Sequence, residues 1–251
     1  MNSISIPSVA FITGAGSGIG RAVAERFLAE GWKVVIVGRR MELLEKLKSS
    51  AKEGSVLPLP CDLTDPAQTQ KMMEQFANQR EFAEGLKVLV NNAGRYVRSK
   101  TETAQDDHWR DMWEVNFLAP VRLTRHLLPY LRANQGAVIN ISSTLGLRPV
   151  AETGAYSAAK AALVNWTQTL ALEEAPHKVR SNCICPGIVD TPIHALETKS
   201  KAEREAMDRL QPLGRVGRPE DIAHAVWSLS GPGSEWITGA ILKVDGGIDL
   251  V

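Results

Sequence analysis

The stretch TGAGSGIG, residues 13–20, lies directly behind the apolar run Val9-Ala10-Phe11-Ile12 and directly ahead of the helical-looking RAVAERFLAEG. Glycine costs conformational entropy and contributes no packing, so four of them at 14, 16, 18 and 20 imply a tight turn or a close backbone approach. A flexible loop is the plain alternative. The spacing is not G-x-G-x-x-G: counted from Gly14 its last position falls on Ile19, and from Gly16 on Arg21. It is G-x-x-x-G-x-G, through Gly14, Gly18 and Gly20, with Gly16, Ser17 and Ile19 between them. The physical task is similar. A strand ends, the backbone turns, and the next helix offers unpaired N–H groups and a positive dipole end to a pyrophosphate.

Outward from this turn, short β-branched runs alternate with longer helical patterns. The strand candidates are Val9–Ile12, Lys33–Val37, Ser55–Leu59, Lys87–Val90, Ala137–Ile141, Val179–Cys185 and Ala240–Val244. Runs that are apolar on both faces and separated by helices predict a parallel sheet covered on both sides. The expected architecture is therefore α/β, a Rossmann-like doubly wound three-layer sandwich around a seven-stranded sheet, in one domain spanning 1–251. One segment breaks the rhythm. TPIHALETKSKAEREAMDR, from Thr191, is polar, charged and helical, and reads either as a solvated excursion or as a cover over a pocket, at about 191–212.

Composition narrows the partners. Apolar residues make up 44% and charged residues 23%, and the formal charge of +1 gives no general attraction to nucleic acid or anionic lipid. No apolar stretch approaches a membrane span, and no basic-then-apolar leader is visible, so a cytoplasmic location without membrane or nucleic-acid partners is expected. Cys61, Cys183 and Cys185 fit neither a disulfide framework nor a zinc site; they read as reduced core residues, with no metal.

With TGAGSGIG, three further motifs follow in order: NNAG at 91–94, YSAAK at 156–160 and Pro186-Gly187. In their order and spacing, over nearly the whole chain, these motifs resemble those of the short-chain dehydrogenase/reductase family. The resemblance implies a nicotinamide dinucleotide, with Asn92, Ala93 and Gly94 close to it and Asn91 bracing the sheet. It places Asp62 and the Leu63 amide at the adenine edge, although Asp62 also reads as a helix N-cap. It puts Pro186, Gly187, Ile188 and Thr191 around the nicotinamide. Lys87 departs from the family, which commonly has Asp at that place.

Cofactor preference is read after the second strand. An NAD-binding fold usually has an acidic residue there for the ribose hydroxyls. This chain has Gly38 followed by Arg39 and Arg40, donor forks suited to a 2′-phosphate, so NADP(H) is expected over NAD(H). A solvated basic pair is the alternative.

Tyr156 and Lys160 are four apart and share one helix face. A free Tyr titrates near about 10, and a neighbouring ammonium, together with the positive ring of the oxidised nicotinamide, is expected to lower that value toward the working range, making Tyr156 a usable general acid/base. Ser143 ends the AVINIS strand, where such sheets hold ligands; by family spacing it polarises the substrate oxygen, while Ser142 turns to the other side. Asn116 matches the family's helical Asn, whose backbone carbonyl positions a water linked to Lys160. The implied catalytic set is Asn116, Ser143, Tyr156 and Lys160, and the reaction is hydride transfer between the nicotinamide and a carbonyl or secondary alcohol.

The implied substrate pocket is bordered by Tyr96, Leu145, Val150, Glu152 and His194, with Arg95 able to meet an acid group. A 3-oxoacyl-carrier-protein reductase is one alternative, weakened because Asn134 and His177 stand where those enzymes often present Arg. A non-catalytic NADP(H)-binding regulator is another. The resemblance also implies a homotetramer, with Trp113, Phe117, Trp166 and Leu170 as interface or core residues.

Overall fold

The structure, a computed structural model, describes residues 7–193 and 198–251. Each of the seven expected runs forms a strand: β1 Val9–Thr13, β2 Lys33–Gly38, β3 Val56–Pro60, β4 Leu86–Asn91, β5 Ala137–Ile141, β6 Arg180–Pro186 and β7 Ile241–Val244. All pairings are parallel, in the order β3-β2-β1-β4-β5-β6-β7. Pro58 and Pro60 fall in β3, an edge strand, where a missing donor breaks no ladder on the outer side.

The helices are α1 Gly18–Ala29, α2 Met41–Ser50, α3 Pro66–Ala77, α4 Arg80–Ala83, α5 Asp106–Trp113, α6 Ala119–Ala133, α7 Gly154–Glu174, α8 Lys201–Arg209 and α9 Pro219–Ser230. Alternation along β1 explains why both faces of the sheet are covered. Ala10 and Ile12 join Phe27, Ile222 and Val226 in one core layer, against α1 and α9. Val9 and Phe11 join Phe76, Leu123 and Leu127 in the other, against α3 and α6. Each fully buried large side chain of this kind contributes roughly 1.5–3 kcal/mol.

Strand order reverses between β1 and β4, and a crevice opens there at the carboxyl ends of the strands. Buried amides brace the strands beside it. Asn91 Nδ2 donates to Thr124 Oγ1 at 3.0 Å and to Asn140 Oδ1 at 2.8 Å, and Asn140 Nδ2 donates to Thr167 Oγ1 at 2.9 Å, tying β4 and β5 to α6 and α7. Lys87 is exposed on β4 and takes no part in this bracing.

Two readings left open by the sequence are decided here. The N-cap of α3 is Asp65, whose side chain accepts from the Ala67 and Gln68 amides; Asp62 instead accepts from the Thr64 amide and hydroxyl. Leu170 is buried in the core against β5 and β6, so only Trp113, Phe117 and Trp166 remain as a partly exposed aromatic strip. Among the described residues no helix is long and apolar enough to cross a membrane, and no group of His, Cys, Asp and Glu could hold a metal.

Candidate active site

A single cavity of about 890 Å³ runs along the crevice. Its first wall is the glycine turn. Gly14 has a φ of +66°, and a Cβ on Gly20 would lie 2.4 Å from both Asn92 Nδ2 and the Gly14 carbonyl oxygen. The reason is a clasp between β1 and β4. Asn92 Nδ2 donates to the Thr13 carbonyl at 2.8 Å, and Thr13 Oγ1 accepts from the Asn92 and Ala93 amides, both at 2.9 Å.

Gly20 is therefore not part of the cavity wall, contrary to the expectation from its motif. Its missing side chain lets α1 pack onto the clasp. Gly14, Gly16, Ser17, Gly18 and Ile19 do line the cavity, and Ser17 makes no side-chain cap, so the first turn of α1 keeps its amides for another acceptor.

Farther along stand Arg39 and Arg40 at the end of β2, both exposed, with Arg40 Nη2 donating to Ser17 Oγ at 3.4 Å. Asp62 and Leu63 come next, after β3, then Asn92, Ala93 and Gly94 after β4, and Pro186, Gly187, Ile188 and Thr191 after β6. These residues fit a dinucleotide: a backbone-walled cradle at a helix N-terminus, two guanidinium groups, and no carboxylate on the last residue of β2.

At the centre of the cavity the four candidate catalytic residues meet. Tyr156 is 8% exposed and lines the cavity beside Ser143, whose side chain acts to lower the phenol's pKa. Ser143 Oγ also accepts from the Leu145 amide at 3.1 Å, while Ser142 Oγ donates to the Lys160 carbonyl at 2.9 Å, which removes it from the chemistry. Lys160 Nζ donates to the Ile141 carbonyl at 2.8 Å and lies 5.8 Å from the centre of the Tyr156 ring. A Cβ on Gly94 would sit 2.9 Å from Asn116 Oδ1 and 3.5 Å from Lys160 Nζ, so these three residues abut.

Asn116 lies in a π-helical turn, Glu114–Leu118, between α5 and α6. Its Nδ2 donates to the Met112 and Arg95 carbonyls, both at 3.0 Å, and its Oδ1 accepts from the Arg95 amide. The widened turn and the fully buried amide lock the loop after Gly94 to the helix.

In the protein alone, burial pushes Tyr156 up to about 12, against a lowering from the Ser143 side chain, and burial also pulls Lys160 down to about 8.

At the far end, Tyr96, Leu145 and Val150 line the cavity, and the Tyr96 ring packs edge-on against Tyr156 with centroids 5.0 Å apart. Glu152 does not line it. At a φ of +68° it turns away and pairs with Arg98 at 3.3 Å. Arg95 is ion-paired with Asp111, so it meets an acid of this chain. His194 lies outside the described residues. Sequence reasoning missed Asp111, Val115, Lys199, Met207, Leu210 and Ile248, which also line the cavity. Only Met207 and Leu210 had a signal, as apolar residues in the otherwise charged segment.

A parallel sheet in this order, with this crevice, defines a Rossmann-like doubly wound fold. Residues 14–249 match the family described as enoyl-(acyl carrier protein) reductase. Meso-2,3-butanediol dehydrogenase of Serratia marcescens is 34% identical over 95% of this chain and 93% of its own length. A 3-oxoacyl-(acyl-carrier-protein) reductase of Thermotoga maritima is 32% identical over 96% and 97%. Among solved structures, L-sorbose reductase of Gluconobacter frateurii, complexed with NADPH and L-sorbose, superposes with a TM-score of 0.89 at 32% identity, covering 96% of each chain. The protein belongs to the short-chain dehydrogenase/reductase family and is an oxidoreductase of the kind that binds a nicotinamide cofactor.

Proposed function

We propose that the protein is an NADP(H)-dependent oxidoreductase that interconverts a small carbonyl compound and its secondary alcohol, with Tyr156 as the general acid/base. The observation that carries this reading is the meeting of Tyr156, Ser143, Lys160 and Asn116 in one cavity, which also takes in the glycine turn beside Arg39 and Arg40. The bound nicotinamide would supply or accept the hydride. Tyr156, neutral across the physiological range, is set to donate its proton to the substrate oxygen, and Ser143 Oγ is placed to hold that oxygen as charge develops on it. Lys160 would supply the replacement proton for Tyr156, and Asn116, adjacent to it behind Gly94, would hold the water that feeds it.

The NADP preference is supported by Arg39, Arg40 and the absence of a carboxylate at Gly38. A substrate with an apolar body suits Tyr96, Val115, Leu145, Val150 and Leu210. We further propose a homotetramer that uses the strip of Trp113, Phe117 and Trp166, testable by native mass. The decisive experiment is NADPH consumption against a panel of ketones, β-keto thioesters, steroids, sugars and quinones. Turnover by the wild-type protein, lost in Tyr156→Phe, is expected; full activity in that variant would overturn the mechanism.

A further inference from the structure

The residues after β7 form a strap with more anchors than the sheet requires, because strand pairing is complete at Pro186 and Val244. Asp245 turns the backbone: Oδ1 accepts from the Gly247 amide at 3.0 Å and Oδ2 from the Asp249 amide at 3.1 Å. A 3-10 turn over Ile248–Leu250 follows, and Ile248 forms part of the cavity wall.

Three other parts of the molecule grip this short segment. From the loop after Ser143, Arg148 Nη1 donates to the Asp249 carbonyl at 3.3 Å and to the Val251 carbonyl. From β7, Lys243 pairs with the carboxylate of Asp249, whose side chain is 8% exposed. From the segment after α8, the Leu213 amide donates to the Gly246 carbonyl at 3.0 Å. Gly187 is also packed against it, since a Cβ there would lie 2.9 Å from Asp245 Cα. The strap thus joins the loop of the candidate oxyanion residue, the loop after β6 and the base of the charged helical segment.

We propose that residues 245–251 are a specificity-determining wall of the substrate end, and that Arg148 is the positioning residue that holds Ile248 at its depth in the cavity. The group it would meet is an apolar portion of the substrate distal to the carbonyl. This rests on reading the cavity as a carbonyl/alcohol site. A size change at position 248 then changes which substrates fit, whereas a change at 148 loosens the wall without altering its chemistry.

Two measurements on the full chain test this. Hydrogen exchange at the amides of Gly247, Ile248, Asp249 and Leu213 should accelerate about tenfold in Arg148→Ala, the scale of one lost hydrogen bond to a charged group, and should return toward wild type in Arg148→Lys. With the ketone panel, Arg148→Ala should raise KM about fivefold and change kcat less than about twofold, as expected when only positioning is lost. Ile248→Ala should favour bulkier ketones and Ile248→Trp smaller ones, each by about fivefold, the worth of roughly one methylene to a few. Unchanged exchange in Arg148→Ala, or unchanged size selectivity in both Ile248 variants, would overturn the proposal. If the wild type turns over no carbonyl, the reaction reading fails, and exchange alone then judges the clamp by the same criterion.

Discussion

At the end of the cavity read as the cofactor site, the wall is backbone held by a clasp of the Thr13 and Asn92 side chains. Thr13, Asn92 and Gly20 lock the ends of β1 and β4 together, and what faces the cavity is a turn and the start of α1. The other end is made of side chains from segments far apart in the chain: Tyr96, Leu145, Val150, Leu210 and Ile248. The difference follows from physics. A diphosphate can be met by amides, which every residue carries, so the position needs space and little else. An apolar substrate must be met by side-chain shape, which varies with each residue.

Tyr156→Phe gives the sharpest break between the two ends. It should lower kcat/KM by about 10²–10⁴-fold, the usual worth of a positioned general acid, while NADPH affinity from fluorescence titration changes little. Equal losses in both would dissolve the division. Gly20→Ala should act on the clasp, costing about 3 kcal/mol in denaturant unfolding, because its Cβ meets a backbone oxygen that cannot give way. A stability loss below about 0.5 kcal/mol would mean that α1 shifts freely. Arg39→Asp should move the NADPH-to-NADH ratio of specificity constants by about 10–100-fold toward NADH, through lost attraction and added repulsion. A wild type that prefers NADH would refute the reading of Arg39 and Arg40.

The smallest effect concerns stability and pH. Burial lowers Lys160 from 10.5 to about 8, so the folded state disfavours its ammonium. Protonation costs stability in full below pH 8, and the cost is relieved as pH rises from about 8 to 10.5, where the unfolded chain binds more protons. Lys160→Met should therefore be more stable than wild type at pH 7 by about 1–2 kcal/mol, after allowing about 1 kcal/mol for the lost bond to the Ile141 carbonyl. That advantage should disappear above pH 10.5. Tyr156, raised by burial, loses stability from pH 10 to 12 in both proteins and cancels in the comparison. A constant difference across pH would show that Lys160 is not charged against a penalty.

The strands were legible because β-branched runs that are apolar on both faces have few other uses, and all seven fell within one residue of their expected bounds at each end. Tyr156 and Lys160 were legible because helical periodicity puts them on one face and the resemblance of YSAAK, at its distance from Ser143, gave that face a role. Gly20 and Glu152 were misread because a motif or a loop position does not say which way a residue turns. Ile248 and Arg148 gave no signal, since their relation spans a hundred residues of chain.

By itself, then, the order of apolar runs, glycines and polar pairs determined the architecture and the chemical type of the central residues, because periodicity and local turn chemistry act over a few residues. Only the folded molecule decided how deeply Tyr156 and Lys160 are buried, that Gly20 serves packing, and what walls the far end. Those outcomes depend on which distant atoms come within a few ångströms of each other, and desolvation and steric contact act only at that range.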